Sequence, residues 1–393
     1  MKKILHIMTD ANENIFMDFA LDTFENVFPG QNTVWLIVNR SNARSKCHRD
    51  LEFKFIETLR LSFLNKLTSF DLILIHGLDF LKYPMIAFAP KGVKFAWIGW
   101  GFDYYGFIYK NTESLVFTET QNLKNGLESN SRWNVYTPVK LIKHTVRKAL
   151  EFSLQKKVLR RIGSFSPVLP EEYSLLSNSN LIAHLPPLVP WNYGSLEENL
   201  VNNFIDCRVD GNNVLVGNSA SFTNNHLEVF RILSDSRVKM AKNAKVIVPL
   251  SYGDEAYGQK IIEKGVENFG NNFEPLLNFM PIDEYIEIIK QCGFVIMNFK
   301  RQQALGNILI MLYFGARVFF AAENPIYQML KKEGVICNLL SDIQSQPDLI
   351  TKALSEEEVQ INIRFLKRHW SKEAINNKTQ NLVDFHCGAD LER

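Results

Sequence analysis

With 393 residues, 46% of them hydrophobic and 22% charged, the chain holds material for two cores and lacks the bias of a disordered or fibrous sequence. A formal net charge of +2 argues against a dedicated nucleic-acid binder and leaves room for a local basic patch. Its five cysteines are scattered and odd in number, with no pair at metal-ligand spacing such as C-x-x-C, and a reducing cytosol with free thiols is the simple reading.

The chain opens with MKKILHIMTD, in which His6, Thr9 and Asp10 break the apolar run. A buried first strand therefore explains it better than a signal peptide. Short apolar runs follow in order: TVWLIV (33–38), DLILIH (71–76), KFAWIGW (94–100), SLVFT (114–118) and LIAHL (181–185). The second half adds NVLVGNS (213–219), KVIVPLS (245–251), FVIMNF (294–299), RVFFAA (317–322) and VICNLL (335–340). Runs of this length and continuity suit strands of a parallel sheet, buried on both faces. Helical periodicity fills the gaps, as in EAYGQKIIEKGVENFG and IDEYIEIIKQCG, and the segment 359–385 reads as one or two helices.

Strands alternating with helices predict an α/β protein of two doubly wound, Rossmann-like domains facing a cleft. The Pro-, Gly- and Asn-rich stretch 186–204 reads as the linker. The expected domains are 1–190 and 205–365, with 366–393 a helical segment packing back on the first. No apolar run reaches membrane-spanning length, so any membrane contact would be peripheral.

In a doubly wound sheet, ligands lie beyond the carboxyl ends of the strands. In the second half those ends are unusually polar. The loop after NVLV carries Gly217, Asn218, Ser219, Asn224 and, opening a helix, His226. Its glycine lets backbone approach a ligand, its hydroxyls donate, and Asn224 or Asn225 is a natural helix cap. The next loops bring Tyr252, then Lys300, Arg301, Gln302, Gln303, Gly306 and Asn307, then Glu323 and Asn324. All four loops are expected at one edge of one sheet. A guanidinium that bridges phosphate oxygens, several amides, one carboxylate and two glycine approaches suit a nucleotide diphosphate-sugar. A well-capped strand–helix turn, a surface ion pair at Arg301 and a helix-start carboxylate at Glu323 are the plainer readings of the same residues.

These residues resemble a known family, the TDP-4-acetamido-4,6-dideoxygalactose (Fuc4NAc) transferases of enterobacterial common antigen synthesis. The resemblance runs through VGNS (216–219) with Asn224 and His226, IVP (247–249) with Tyr252, and EAY (255–257). It continues through Tyr285, RQQ (301–303) with Gly306, and ENP (323–325) with Gln328, in family order across about residues 210–335. The first half is matched more loosely, at His6-Ile7, His76-Gly77 and WGFDYY (100–105). The resemblance implies a GT-B fold, a TDP-sugar donor, a polyprenyl-diphosphate-linked acceptor and a peripheral enzyme on the cytoplasmic face of the bacterial inner membrane. The loop at 252–255 is shorter than the family pattern, which leaves donor sugar, acceptor saccharide and pathway open.

Transfer of a glycosyl group needs a stabilised leaving diphosphate and, for inversion, a base. The chain contains no D-x-D, so no metal and no cofactor is expected, and Arg301, Lys300 and helix N-termini are the substitutes. The candidate base is Asp103, with a pKa raised among Trp100, Phe102, Tyr104 and Tyr105, rings that could also stack on acceptor sugars. Asp10 and His76 are weaker candidates, and His76 alone reads more simply as a hydrogen-bonded core histidine. Segment 140–161 sets Lys143, Arg147, Lys156, Arg160 and four further cations against the single acid Glu151, over an apolar stripe at helical spacing. It reads as a helix lying on an anionic membrane, or else as a solvated helix packed on the core. Rival functions are a non-catalytic sugar-nucleotide-binding module and a GT-B-type epimerase. A dinucleotide oxidoreductase is disfavoured because no G-x-G-x-x-G follows the first strand.

Overall fold

A computed structural model describes residues 1–9, 15–37, 53–54, 61–109, 112–131, 151, 153–182 and 184–388. The chain divides into two units: Met1–Lys110, Tyr136–Asn199 and Trp370–Arg393 form one, and Asn111–Val135 with Leu200–His369 the other. The backbone thus leaves the first unit and returns to it twice.

The first unit is built on β1 (Ile4–Thr9), β2 (Asn32–Ile37), β3 (Phe53–Lys54), β4 (Leu72–His76), β5 (Phe95–Ile98) and β6 (Ile162–Ser166). The second carries β7 (Val214–Val216), β8 (Val246–Pro249), β9 (Phe273–Leu276), β10 (Phe294–Met297), β11 (Arg317–Phe320) and β12 (Asn338–Leu339). Each set pairs in parallel, in the orders β3-β2-β1-β4-β5-β6 and β12-β11-β10-β7-β8-β9. In each the order reverses beside the first strand, as in a doubly wound fold.

Alternation along the strands divides the first unit's core. Leu5, Ile7, Ile73, Ile75, Phe95 and Trp97 face one layer. Ile4, Met8, Leu72, Leu74, Ala96 and Ile98 face the other, where Met17, Ala20, Leu21 and Phe24 of helix Ile15–Val27 meet Leu382 and Val383 of helix Lys372–Cys387. The last helix is therefore a wall of the first unit's core.

Three expectations needed revision. SLVFT is not a strand: Thr112–Leu115 is a 3-10 turn and Thr118–Ser131 a helix, and this stretch, inside the span expected for the first domain, clusters with the second unit. Thr120 there donates from N and Oγ1 to the Glu228 carboxylate at 3.0 and 2.6 Å. The described residues of LIAHL, Leu181, Ile182, His184 and Leu185, also lie outside any strand, and IGSFS (162–166) takes the sixth place beside β5. The edge strand β9, FEPL, escaped because it holds a glutamate and a proline, which only an edge tolerates.

Candidate active site

Because the second sheet is all parallel, the loops after β7, β8, β10 and β11 leave from one edge. The first of them is organised by Gly217, at φ +67°. A Cβ there would lie 2.6 Å from Asn224 Oδ1 and 2.8 Å from His226 Nε2, so only glycine fits. Asn224 is fully buried; its Oδ1 accepts from Asn218 N at 2.8 Å and its Nδ2 donates to Ser219 Oγ at 3.1 Å. His226 is also fully buried, with Nδ1 2.9 Å from the Tyr257 hydroxyl and its pKa lowered by burial to about 3. These two residues, expected to bind donor, stand behind the loop and shape it. Asn225 occupies the cap position in a left-handed conformation, yet its side chain makes no cap bond and accepts from Phe117 N instead.

Polar side chains of successive loops are joined in a series of hydrogen bonds. Asn218 Nδ2 donates to the Tyr252 hydroxyl at 2.6 Å, and Gln303 Nε2 donates to Asn218 Oδ1 at 2.7 Å. Gln303 Oε1 in turn accepts from Thr223 Oγ1 at 2.7 Å. Tyr252 is 54% exposed. Partial burial raises its hydroxyl pKa, while bonds from Ser219 and Asn218 and the nearby Arg301 charge pull the other way. Arg301 is half-buried, with Nη1 3.2 Å from the Gln302 carbonyl; Gln302 and Gln303 are buried.

Ala304 then adopts φ +55°, a strained value for a residue with a Cβ, and turns the chain into helix Leu305–Phe314. The amides of Leu305, Gly306 and Asn307 begin that helix, where orphan N–H groups and the macrodipole favour an anion. No protein atom demands a glycine at 306: the nearest contact of a Cβ there would be Leu200 at 3.8 Å. Asn307 Nδ2 donates to the Tyr285 hydroxyl at 2.9 Å.

Two expected donor contacts, Lys300 and Asn324, resolve differently, and a third, Glu323, stays open to a ligand. Lys300 lies over the Phe117 ring at 4.0 Å and reaches the Val116 carbonyl at 3.4 Å, which makes it a prop for the 112–117 stretch. Asn324 is fully buried and caps helix Pro325–Lys332 by accepting from Ile326 N at 2.8 Å. Glu323, beside it, is exposed. Among the described residues, no group of three or more His, Cys, Asp and Glu could hold a metal ion.

The carboxyl edge of the first sheet is a different construction. Asp103 Oδ2 accepts from Leu78 N at 2.8 Å and Trp97 Nε1 at 2.6 Å, and Oδ1 accepts from Trp100 N at 2.8 Å. Burial raises its pKa as expected, and these donors work against the rise. A carboxylate whose oxygens already hold three donors ties the ends of β4 and β5 together and is poorly placed to take a substrate proton. That corrects its assignment as the base. Asp10 lies outside the described residues. Of the four expected stacking rings, Tyr104 and Tyr105 are buried with their hydroxyls on Glu172, at 2.6 and 2.5 Å. Trp100 is half-buried and Phe102 is 65% exposed.

His76 is buried and hydrogen-bonded on both sides: Nε2 lies 3.0 Å from His6 Nδ1, and Nδ1 lies 2.9 Å from the Tyr193 hydroxyl. Trp100 Nε1 donates to the same hydroxyl. Buried Lys82 donates to the carbonyls of His76 and Gly77 and pairs with Asp79 at 2.6 Å, and Asp79 also accepts from Thr9 Oγ1. His6 and Tyr193 were not singled out from the sequence as site residues.

Lys143 and Arg147 lie outside the described residues. Lys156 and Arg160 are exposed on the helical stretch 153–161. Val158 and Leu159 are buried in the first unit's core and Leu154 packs against it, so this part of the apolar stripe is used internally. Exposed apolar surface in the same unit comes instead from Phe88, 54% exposed, with Lys157 Nζ 4.3 Å from its ring centroid. No helix among the described residues is long and apolar enough to cross a membrane.

Residues 197–373 match the family model of 4-alpha-L-fucosyltransferases, glycosyl transferase group 56. Among solved structures, Anabaena HepE in complex with UDP and glucose superposes with a TM-score of 0.63 at 10% identity, over 98% of this chain and 100% of that one. Sucrose-phosphate synthase from Thermosynechococcus elongatus gives 0.61 at 9% identity, over 99% and 100%. A glycosyltransferase from Rickettsia africae gives 0.61 at 10% identity, over 98% of each. At such identities the likeness speaks for the fold alone, which is GT-B. The family model speaks for the chemistry and supports the resemblance read from the loops: through residues 197–373 the chain matches glycosyl transferase group 56, and it is a glycosyltransferase.

Proposed function

We propose that the enzyme moves a deoxy-acetamido sugar of the Fuc4NAc kind from a TDP-sugar to a polyprenyl-diphosphate-linked saccharide, at the cytoplasmic face of the bacterial inner membrane. The observation that carries the donor half is the convergence, on one edge of the second sheet, of Arg301, the Asn218–Tyr252 pair and the start of helix Leu305–Phe314 at Gly306. A guanidinium beside free helix amides stabilises a leaving diphosphate without a metal clamp. Exposed Tyr252 and Glu323 supply polar contacts for base, ribose or sugar. The TDP-sugar and the lipid-linked acceptor rest on the family resemblance of these loops. The membrane rests on exposed Lys156, Lys157 and Arg160 together with Phe88.

Calorimetry with TDP and UDP tests the donor. TDP is expected to bind the wild type more tightly than UDP. Arg301→Ala is expected to weaken TDP by about 1.5–3 kcal/mol, the scale of a hydrogen bond to a charged group. Unchanged affinity in a folded Arg301→Ala protein would remove Arg301 from the diphosphate site. Hydrolysis rates across a panel of nucleotide-sugars then identify the sugar.

A further inference from the structure

A chain of polar side chains crosses the apolar face between the first sheet and helix Ile15–Val27, and the direction of each of its bonds can be deduced. Asn32 Nδ2 donates to Glu25 Oε1 and to the Phe28 carbonyl, both at 2.8 Å, so Asn32 Oδ1 is the atom turned towards His6 Nε2, 3.3 Å away. An amide oxygen only accepts, so His6 Nε2 carries a hydrogen. Burial lowers the His6 pKa to about 4, so the ring holds one hydrogen and Nδ1 is bare. The contact from His76 Nε2 at 3.0 Å is then N–H donating to His6. Burial also holds His76 well below its ordinary pKa, so its Nδ1 is bare and accepts the Tyr193 O–H at 2.9 Å. The indole of Trp100, a donor only, closes the series at the Tyr193 oxygen.

Sheet register makes the chain continuous. Asn32 pairs with Ile4, and His6 lies two residues on; Leu74 pairs with His6, and His76 lies two residues beyond. Even-numbered positions share one face, so the series climbs four residues, about 13 Å at ~3.3 Å per residue, from the amino end of the strands to their carboxyl edge. The two imidazoles lie nearly parallel, 5.2 Å between centroids, with Phe24 against His6 and Trp191 against His76. Apolar side chains ordinarily fill such positions on the core face of a sheet. The polar series buys a path instead: every hydrogen in it points away from the edge where doubly wound sheets bind ligands.

We propose that Tyr193 is the catalytic base group for the acceptor hydroxyl, with His76 and His6 as positioning residues that take up its proton. This rests on the glycosyl-transfer reading above. As the acceptor oxygen bonds to the sugar carbon, the bond from that carbon to the diphosphate breaks and its electron pair leaves on the diphosphate. The acceptor O–H proton passes to the Tyr193 oxygen, the Tyr193 hydrogen to His76 Nδ1, and the His76 Nε2 hydrogen to His6 Nδ1. Asn32 takes no proton, so the charge comes to rest on His6, facing Glu25 through Asn32. After product leaves, the same steps reversed release the proton.

Two measurements test this. In nitrogen-15 histidine spectra of the resting protein at neutral pH, His6 and His76 are expected neutral with hydrogen on Nε2. Tyr193→Phe should shift the His76 Nδ1 resonance and keep both tautomers. A hydrogen on His76 Nδ1, or a charged ring, overturns the path whatever the substrate is. In transfer assays with the TDP-sugar and a polyprenyl-diphosphate-linked saccharide, Tyr193→Phe should lower kcat by about 10²–10⁴-fold with donor KM unchanged, the range of general acid–base catalysis. His76→Gln and His6→Gln preserve hydrogen bonding without passing protons, and should lower kcat by at least about tenfold with the same KM. Full kcat in the Tyr193→Phe or His76→Gln protein overturns the assignment. A wild type that transfers no sugar overturns the donor and acceptor reading instead, and the spectra still decide the path.

Discussion

The two carboxyl edges of this enzyme use polar atoms in opposite ways. At the second sheet, amides and hydroxyls of successive loops bond sideways to one another, Thr223 to Gln303 to Asn218 to Tyr252, and hold a rim in place around a helix start. At the first sheet, polar groups run inward, from Tyr193 through His76 and His6 to Asn32, under cover of the core. A rim positions a charged ligand; an inward series gives one hydroxyl a route to a remote proton acceptor. On the functions proposed above, phosphate recognition and proton handling fall on different units of the chain.

Acid should separate the units most strongly. In the first unit His6 and His386 are lowered to about 4 and His76 is lowered too, in each case chiefly by burial; in the second, His226 is lowered to about 3. A lowered histidine lets the unfolded chain bind protons first, so stability is whole above pH ~6.5 and falls as pH drops towards the folded pKa. Between pH 6.5 and 4.5 the loss is about 2–3 kcal/mol per fully buried histidine. The raised pKa of Asp103 opposes it by one group. Scanning calorimetry from pH 7.5 to 4.5 should show a transition of the first unit moving down ahead of the second. Two transitions that fall together would break the comparison.

Gly217→Ala probes the rim. The added Cβ meets Asn224 and His226 at φ +67°, and should cost about 2–4 kcal/mol in the second unit, with TDP binding lost. Melting within a degree of wild type would show that the loop can move aside. A third effect concerns the cations expected at a membrane. Lys143, Arg147, Lys156 and Arg160 changed together to Glu should release the protein from anionic liposomes, at about 1 kcal/mol per cation near the headgroups, and leave TDP affinity unchanged. Equal liposome binding by variant and wild type would leave the helical stretch 153–161 as core structure, the role Val158 and Leu159 already have.

Much of the rim was legible because a loop displays its chemistry locally: Gly217, Asn218, Tyr252 and Arg301 stand at the ends of unmistakable apolar runs. What could not be read was which side of the loop each residue takes, so Asn224, His226 and Asn324 looked like ligand contacts when they are struts. The inward series was illegible for a different reason. His6 reads as a break in an apolar run, Asn32 as the polar start of a strand, and Tyr193 as part of a linker. Only parallel register, with its offsets of two residues, brings Asn32, His6 and His76 into line. Asp103 shows the reverse failure: its aromatic neighbours and raised pKa were foreseen, but not the donors that occupy it. Strands β6 and β9 were hidden by glycine, serine, glutamate and proline at places where sheet position matters more than propensity.

The interleaved course of the backbone also sets an order of birth. Lys2, beside the first strand, pairs with Asp384, and Trp191 donates to Thr379, both partners on the last helix. A ribosome adding about 5–20 residues per second completes the second unit before that helix emerges. The sheet that begins at Ile4 therefore waits tens of seconds with the Phe24, Leu72 and Leu74 side of its core unsealed. During that interval the nascent first unit exposes apolar surface of the kind that invites aggregation. Losing the final helix would extend that exposure for the life of the protein.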